Sequence, residues 1–258
     1  MSIAVVDVIY RYKGADIPAI KGVNAVASPG RVTAVIGPNA AGKSTLLRCV
    51  IGALAPTAGT VLIDGEPAHQ LSTKSLAGRL AYVPQRPQVA AAFTVREVIE
   101  LGRYAMPASR QRIDETLRRL ELESIADRPF PSLSVGQQQR VTLGRAIAQL
   151  GSKGHLVLDE PTSAMDLRHA ARSTTLLREL ALKDVTVIIA MHDLTLAANL
   201  SDDCWLLDRG RLVAAGPTAD VMQIDRLQAV FGVRFEWVER PKGPPILHSD
   251  SPLLQSSS

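Results

Sequence analysis

One stretch constrains this chain more than any other: "RVTAVIGPNAAGKSTLL", residues 31–47. An apolar, β-branched run ends at Gly37, and a helical pattern of apolar residues opens near Gly42. Between them, Gly37-Pro38-Asn39-Ala40-Ala41-Gly42-Lys43-Ser44 fits G-x-x-x-x-G-K-[ST]. The glycines permit a loop whose backbone N–H groups curl around a phosphate, and the following helix aims its positive end at the same anion. Lys43 then reaches the β- and γ-phosphates as a point charge, and the Ser44 hydroxyl, with Thr45 beside it, is placed to meet Mg²⁺. A strand before the loop and a helix after it are the context that this chemistry demands.

The rest of the chain extends that unit. Short β-like runs alternate with helical stretches, as in a parallel sheet with crossover helices. "GTVLIDG", "LAYVPQ", "HLVLDE" and "VTVIIAMH" read as strands, the last ending at His192, and "CWLLDRGRLVAAG" as a hairpin turning at Asp208-Arg209-Gly210. Leu167 to Leu182 reads as a helix. Between Arg86 and Ser152 the pattern is helical only. There, Val95, Val98 and Ile99 share one face, Ile113, Leu117 and Leu120 share another, and a third helix runs from Ser134 to about Leu150. The expectation is an α/β domain over residues 1–240 with a helical insert at about 86–152. The tail, residues 241–258, ends in "HSDSPLLQSSS", which is polar at its end and expected to fray.

Composition narrows the classes. Of 258 residues, 46% are hydrophobic and 21% charged, enough for a real core. Aromatics are only 4%, against a base-stacking RNA surface. A net charge of +4 does not indicate a nucleic-acid binder and suits work beside an anionic membrane leaflet. Cys49 and Cys204 read as buried small hydrophobes. No signal peptide opens the chain and no apolar run is long enough to span a bilayer, so a cytosolic protein is expected.

Two further elements carry chemistry. In "LVLDE", three apolar positions bring Asp159 to the end of a buried strand, where it can hold a Mg²⁺ shell. Glu160 follows at once, and a carboxylate there can polarise a water for attack on a γ-phosphate. In Leu133-Ser134-Val135-Gly136-Gln137, Ser134 and Gln137 form a capping box. That does not explain Gly136, which costs about 1 kcal/mol in a helix relative to alanine. A small residue there would let an anion approach the helix end.

Together these residues resemble the nucleotide-binding subunits of ABC transporters. "GPNAAGKST" resembles the family's Walker A, "LVLDEP" its Walker B and "LSVGQQQR" its signature sequence. Gln85 in "YVPQ" matches the Q-loop, "SAMD" (Ser163 to Asp166) the D-loop, His192 in "AMHD" the switch histidine, and Tyr12 the aromatic that stacks on adenine. The resemblance covers about residues 2 to 240. It implies a P-loop NTPase fold with a RecA-like core, an N-terminal antiparallel β part and an inserted helical subdomain.

It also implies roles. Tyr12, the loop Gly37 to Thr45, Gln85 and Asp159 would bind ATP, with Ser44, Gln85 and Asp159 around Mg²⁺. Glu160 would be the general base, and His192 would contact the γ-phosphate. Ser134, Val135, Gly136, Gln137 and Asp166 would meet the ATP of a second subunit in a head-to-tail homodimer. Asp166 also reads as an ordinary helix N-cap, and His69, His155, His169 and His248 as surface or structural residues. Family partners are membrane permeases, docking near Gln85 to Thr94, and indirectly a periplasmic or extracellular substrate-binding protein. Nucleic acid is not among the expected partners. The expected location is peripheral, on the cytoplasmic face of the cell membrane.

Two positions depart from the pattern: Val135 replaces the signature's first glycine and Ala40 a glycine of Walker A. "GPNA" resembles metal-chelate importers. "FTVREVIELGR" and the ending "GRLVAAGPTADVM…LQAVFGVRFEWV" resemble importers of ferric siderophores, haem and cobalamin. An iron complex is favoured as cargo. DNA-repair and chromosome-organising relatives carry a long coiled coil or zinc insert, and ribosome-acting ones two cassettes; neither feature is in this sequence. A nucleotide kinase would not explain the signature or His192.

Overall fold

The computed structural model describes residues 1–87, 89, 93–151, 154–241 and 243–252. β1 (Ile3–Tyr10) and β2 (Ile20–Ala27) open the chain as an antiparallel pair, with Ile3 opposite Ala27. β3 (Val32–Ile36), buried at every residue, leads through the glycine loop into α1 (Lys43–Val50). β4 (Ala58–Ile63) and the short β5 (Glu66–Pro67) return to β1, completing a four-stranded sheet in the order β2-β1-β4-β5. α2 (Thr73–Arg79), N-capped by Ser72, leads into β6 (Leu80–Val83). Then come α3 (Val95–Leu101), α4 (Arg110–Arg119) and α5 (Val135–Gln149). β7 (His155–Asp159), α6 (Leu167–Ala181), β8 (Thr186–Ala190), α7 (Leu194–Leu200) and β9 (Asp203–Asp208) restore the alternation. β10 (Arg211–Pro217), α8 (Thr218–Val221), α9 (Ile224–Phe231), β11 (Val233–Val238) and β12 (Ile246–Pro252) follow.

The larger sheet has the order β10-β9-β3-β8-β7-β6 and is parallel except at its edge strand β10. Its central strands are buried on both faces, so their near-continuous apolar sequence feeds two cores. Ala34, Ile36, Leu156, Leu158, Val187 and Ile189 point into one. Their neighbours Val35, Val157, Ile188 and Ala190 point into the other, with Ile3 and Val5 of the antiparallel sheet and Leu46 of α1. Alternate residues of a strand face opposite ways, so β3 packs both layers at once.

Val95, Val98, Ile99, Ile113 and Leu117 bury the helical faces read from their spacing, and join the first core. α4 is shorter than the run "RQRIDETLRRLELESI" suggests. Arg140 on α5 donates to the carbonyls of Leu120 and Glu121 at 2.9 and 3.3 Å, and Glu121 turns to φ 51°, ending the helix. The strand expected to reach His192 stops at Ala190, where the Glu160 amide takes the Ala190 carbonyl. Cys49 and Cys204 are free and buried, and burial pushes their thiols up to about 11 and about 12.

The tail is a correction. Residues 246–252 do not fray: they pair with β11, Val238 opposite Ile246 and Phe235 opposite Ser249. Leu247 anchors the strand on α7, its amide donating to Thr195 Oγ1 at 3.1 Å. His248, Ser249 and Asp250 are all exposed, so the ladder with β11 holds this stretch, not burial of its side chains. The last six residues, 253–258, lie outside the described residues. No helix among the described residues is long and apolar enough to cross a membrane.

Candidate functional site

Strands β3, β7 and β8 end side by side, so the loops leaving them share one edge of the sheet. Ligands in open parallel sheets bind at such carboxyl ends. A cleft of about 580 Å³ lies there, lined by Asn39 to Thr45 of the loop, Gln85 and Glu160.

The loop's shape is forced by its neighbours. Gly37 has φ 150°, and a Cβ there would stand 2.2 Å from the Leu207 carbonyl oxygen. Ala40 sits at φ 61°, a left-handed conformation in which an L residue is strained. Lys43 is 7% exposed, and its Nζ donates to the carbonyls of Gly37 at 2.7 Å and Pro38 at 3.0 Å. Burial lowers its pKa; the charges of Glu160 and Asp159 oppose that.

Asp159 is 2% exposed, and its Oδ1 has no hydrogen-bond partner. Burial raises its pKa, a hydrogen bond with the Ser44 side chain lowers it, and the Glu160 charge adds to the rise. An orphaned carboxylate oxygen beside a hydroxyl is a hard-oxygen donor set, which fits Mg²⁺. Among the described residues no three His, Cys, Asp or Glu side chains gather to hold a metal. Mg²⁺ characteristically takes one or two carboxylates and completes its shell with water and substrate phosphates.

Glu160 turns out of the β7 end at φ 49°. Its Oε2 accepts from Gln85 Nε2 at 2.9 Å and lies 3.8 Å from His192 Nδ1. Gln85, Glu160 and His192 therefore form one cluster at the mouth of the cleft. Tyr12 is 40% exposed, shares a 3.1 Å hydrogen bond with Thr45 Oγ1 and meets Tyr10 edge-on at 4.9 Å.

The sequence reading missed the other wall. Pro18, Ala19, Lys21, Arg209 and Gly210 also line the cleft. The hairpin tip braces the loop: the Gly210 amide donates to the Ala41 carbonyl at 2.9 Å, and the Gly210 carbonyl accepts from the Lys21 amide at 2.8 Å. The two-residue turn was legible, but nothing local to it shows which loop it touches.

A second cleft, of about 460 Å³, joins Ser134, Val135, Gly136 and Gln137 to Ala164, Met165 and Asp166. Ser134 caps α5 through the expected capping box with Gln137. Gly136 has a reason beyond the approach of an anion, since a Cβ there would stand 2.6 Å from the Ala164 carbonyl oxygen. Gln139, also missed, clamps the same contact, donating to Ser163 Oγ at 3.2 Å and accepting from the Ala164 amide at 3.0 Å. Asp166 is the N-cap of α6, as expected. Val135 is 58% exposed. The two clefts share no lining residue among those described. Of the segment Gln85–Thr94, residues 88 and 90–92 lie outside the described residues.

Comparison with known proteins bears on the family and the fold. The profile of the ABC transporter family matches residues 20–163. The chain is 40% identical over 219 residues to the cobalamin import ATP-binding protein of Halobacterium salinarum, covering 82% of this chain and 54% of that protein. It thus spans about half the length of that relative. It is 40% identical over 227 residues to the hemin import ATP-binding protein of Pseudomonas fluorescens, covering 85% and 89% of the two chains. Among solved structures, a dimeric ATP-binding cassette in a post-hydrolysis state with ADP and Pi aligns with a TM-score of 0.76. Its identity is 27%, over 84% of this chain and 98% of that one. The parallel sheet with its glycine loop, the inserted helices and these likenesses converge: the chain belongs to the ABC transporter family and has the fold of its P-loop ATPase cassettes.

Proposed function

We propose that this chain is the ATP-hydrolysing subunit of an importer, energising uptake of an iron complex, a ferric siderophore or haem, through partner permeases. The observation that carries the catalytic part is the meeting of Lys43, Asp159, Glu160 and Gln85 around one cleft. Residues 1–240 would form the ATPase, with the insert at about 86–152, and 241–258 a tail appended to it.

In this reading the loop amides and Lys43 bind the β- and γ-phosphates. Tyr12 releases Thr45 to stack on the base. Ser44, Asp159 and Gln85 hold Mg²⁺, which when bound neutralises charge on the phosphate oxygens. Glu160 takes the proton of the attacking water. His192, 62% exposed beside Glu160, contacts the γ-phosphate. Ser134, Val135, Gly136, Gln137 and Asp166 face the nucleotide of a second copy, because their cleft is separate from the chain's own cradle. The dimeric solved relative supports that geometry. The permeases would hold the dimer at the cytoplasmic face of the membrane and receive cargo from an extracytoplasmic binding protein.

The hemin-import relatives favour the iron complex. The Halobacterium relative supports cobalamin as a second reading. Glu160→Gln tests the mechanism: it should bind ATP, accumulate as an ATP-dependent dimer and lose hydrolysis. Retained turnover would remove Glu160 as the base. Uptake of haem, ferric siderophore and cobalamin by cells with and without the gene separates the cargoes.

A further inference from the structure

The mechanism uses Asp166 but not the ordered charge array that surrounds it. Asp166 Oδ1 accepts from the His169 amide at 2.9 Å, and both carboxylate oxygens lie 2.8 Å from His169 Nδ1. The other ring nitrogen, Nε2, is 3.5 Å from Glu121 Oε2. Glu121 also accepts from Arg168 at 2.9 Å and from Arg172. Its backbone carbonyl accepts from Arg140, which rises from the helix that Ser134 caps. Hydrogen bonds of the Asp166 carboxylate are to His169 alone among the described residues. The imidazole is 21% exposed, beside an Asp166 carboxylate that is 66% exposed.

We infer that His169 is a positioning residue: it fixes the Asp166 carboxylate and ties it, through Glu121 and Arg140, to the signature helix, so that both halves of the partner-facing cleft are presented as one surface. The inference rests on the reading of that cleft as the face that meets a second copy's ATP. Asp166 needs its helix only for the N-cap bond, which uses one oxygen and a backbone amide. The bond to Nδ1 holds the remaining freedom of the carboxylate. Without it, Asp166 must be ordered at the moment of dimer closure, and that cost falls on assembly rather than on nucleotide binding by one chain.

The test uses the full chain in the Glu160→Gln background. Two quantities are measured: affinity of the single chain for a fluorescent ATP analogue, and the ATP concentration giving half-maximal dimer by light scattering. His169→Ala should leave the first within about twofold and raise the second about tenfold, the equivalent of one charge-assisted hydrogen bond. His169→Asn, whose amide nitrogen stands near the Nδ1 position, should recover most of the loss. Asp166→Ser keeps a capping oxygen but cannot reach the ring, so adding His169→Ala to it should change little. Glu121→Gln, a second route to the same tie, should shift assembly in the same direction if His169→Ala fails to fold. Unchanged assembly in His169→Ala overturns the proposal. So does an equal loss in the Asp166→Ser background, or parallel loss of single-chain nucleotide binding. If the parent Glu160→Gln protein does not dimerise with ATP, the functional reading itself fails, and this inference falls with it.

Discussion

Gln85 and Glu160, 75 residues apart in sequence, meet through a 2.9 Å hydrogen bond from the glutamine amide to the carboxylate. The bond crosses from the end of β6 to the end of β7, so it orients Glu160 from the strand next door. Gln85→Ala should therefore lower turnover about 10- to 100-fold, the usual result of misplacing a reacting group by about an ångström. ATP affinity should change by less than about threefold, because the cradle's amides and Lys43 are untouched. Steady-state ATPase and equilibrium nucleotide binding measure the two. A rise in KM with kcat unchanged would show that Gln85 acts in binding alone.

Ala40 should be replaceable with profit. Its φ of 61° costs an L residue about 1–2 kcal/mol, and the extra freedom of glycine in the unfolded chain returns about 0.4–1 kcal/mol of that. Ala40→Gly should therefore stabilise by roughly 0.5–1 kcal/mol, read from the urea midpoint at constant m. A lower midpoint would mean that the methyl's packing outweighs the backbone strain.

Asp159 is held where ionisation is costly. Its folded pKa is raised, chiefly by burial, so its favourable contribution belongs to low pH and is lost as pH rises through that raised value. At neutral pH the buried charge opposes folding. Asp159→Asn should raise the melting temperature of the nucleotide-free protein, by about 2–4 °C for each kcal/mol recovered. The same variant should lose the extra thermal stabilisation that Mg²⁺ adds to ATP. A lower melting temperature would show that the carboxylate is structurally required.

His155 gives the opposite sign. It is fully buried against Asp64 at 3.0 Å; burial lowers its pKa, while the Asp64 charge opposes that. The folded state resists a proton that the unfolded chain accepts near pH 6.5. This stability is present above that pH and is lost as pH falls through the lowered folded value. Urea midpoints taken between about pH 7.5 and 5 should fall on acidification, and His155→Gln should flatten the slope. An unchanged slope would place the acid sensitivity elsewhere.

The parts legible in the sequence were those whose reasons are local. A phosphate loop, a carboxylate at the end of an apolar strand and a capping box each carry their physics within a few residues. So the places of Lys43 after the loop, Asp159 at a strand end and Ser134 at a helix cap could be read, and the faces of α3 and α4 followed from periodicity. What escaped depends on distant partners. His169 looks like a surface histidine until Glu121 is folded beside it. Gly136 looks like room for an anion alone until the Ala164 carbonyl gives it a second reason. The tail looks like a fraying end until β11 supplies its ladder. Arg209, from the hairpin tip, and Lys21, from the antiparallel sheet, leave no mark on the motif that they border.

The hairpin tip at Gly210 has a consequence of its own. Its one residue ties the phosphate loop, through Ala41, to the antiparallel sheet, through Lys21, using its amide for one and its carbonyl for the other. Turn tips are ordinarily where a protein opens first and tolerates insertions best. Here the tip behaves as a rivet between two plates. A tag or new chain ends placed at 209–210 would loosen the cradle without touching any residue of its motif, whereas the amide proton of Gly210 would serve as a gauge of whether the plates are still fastened.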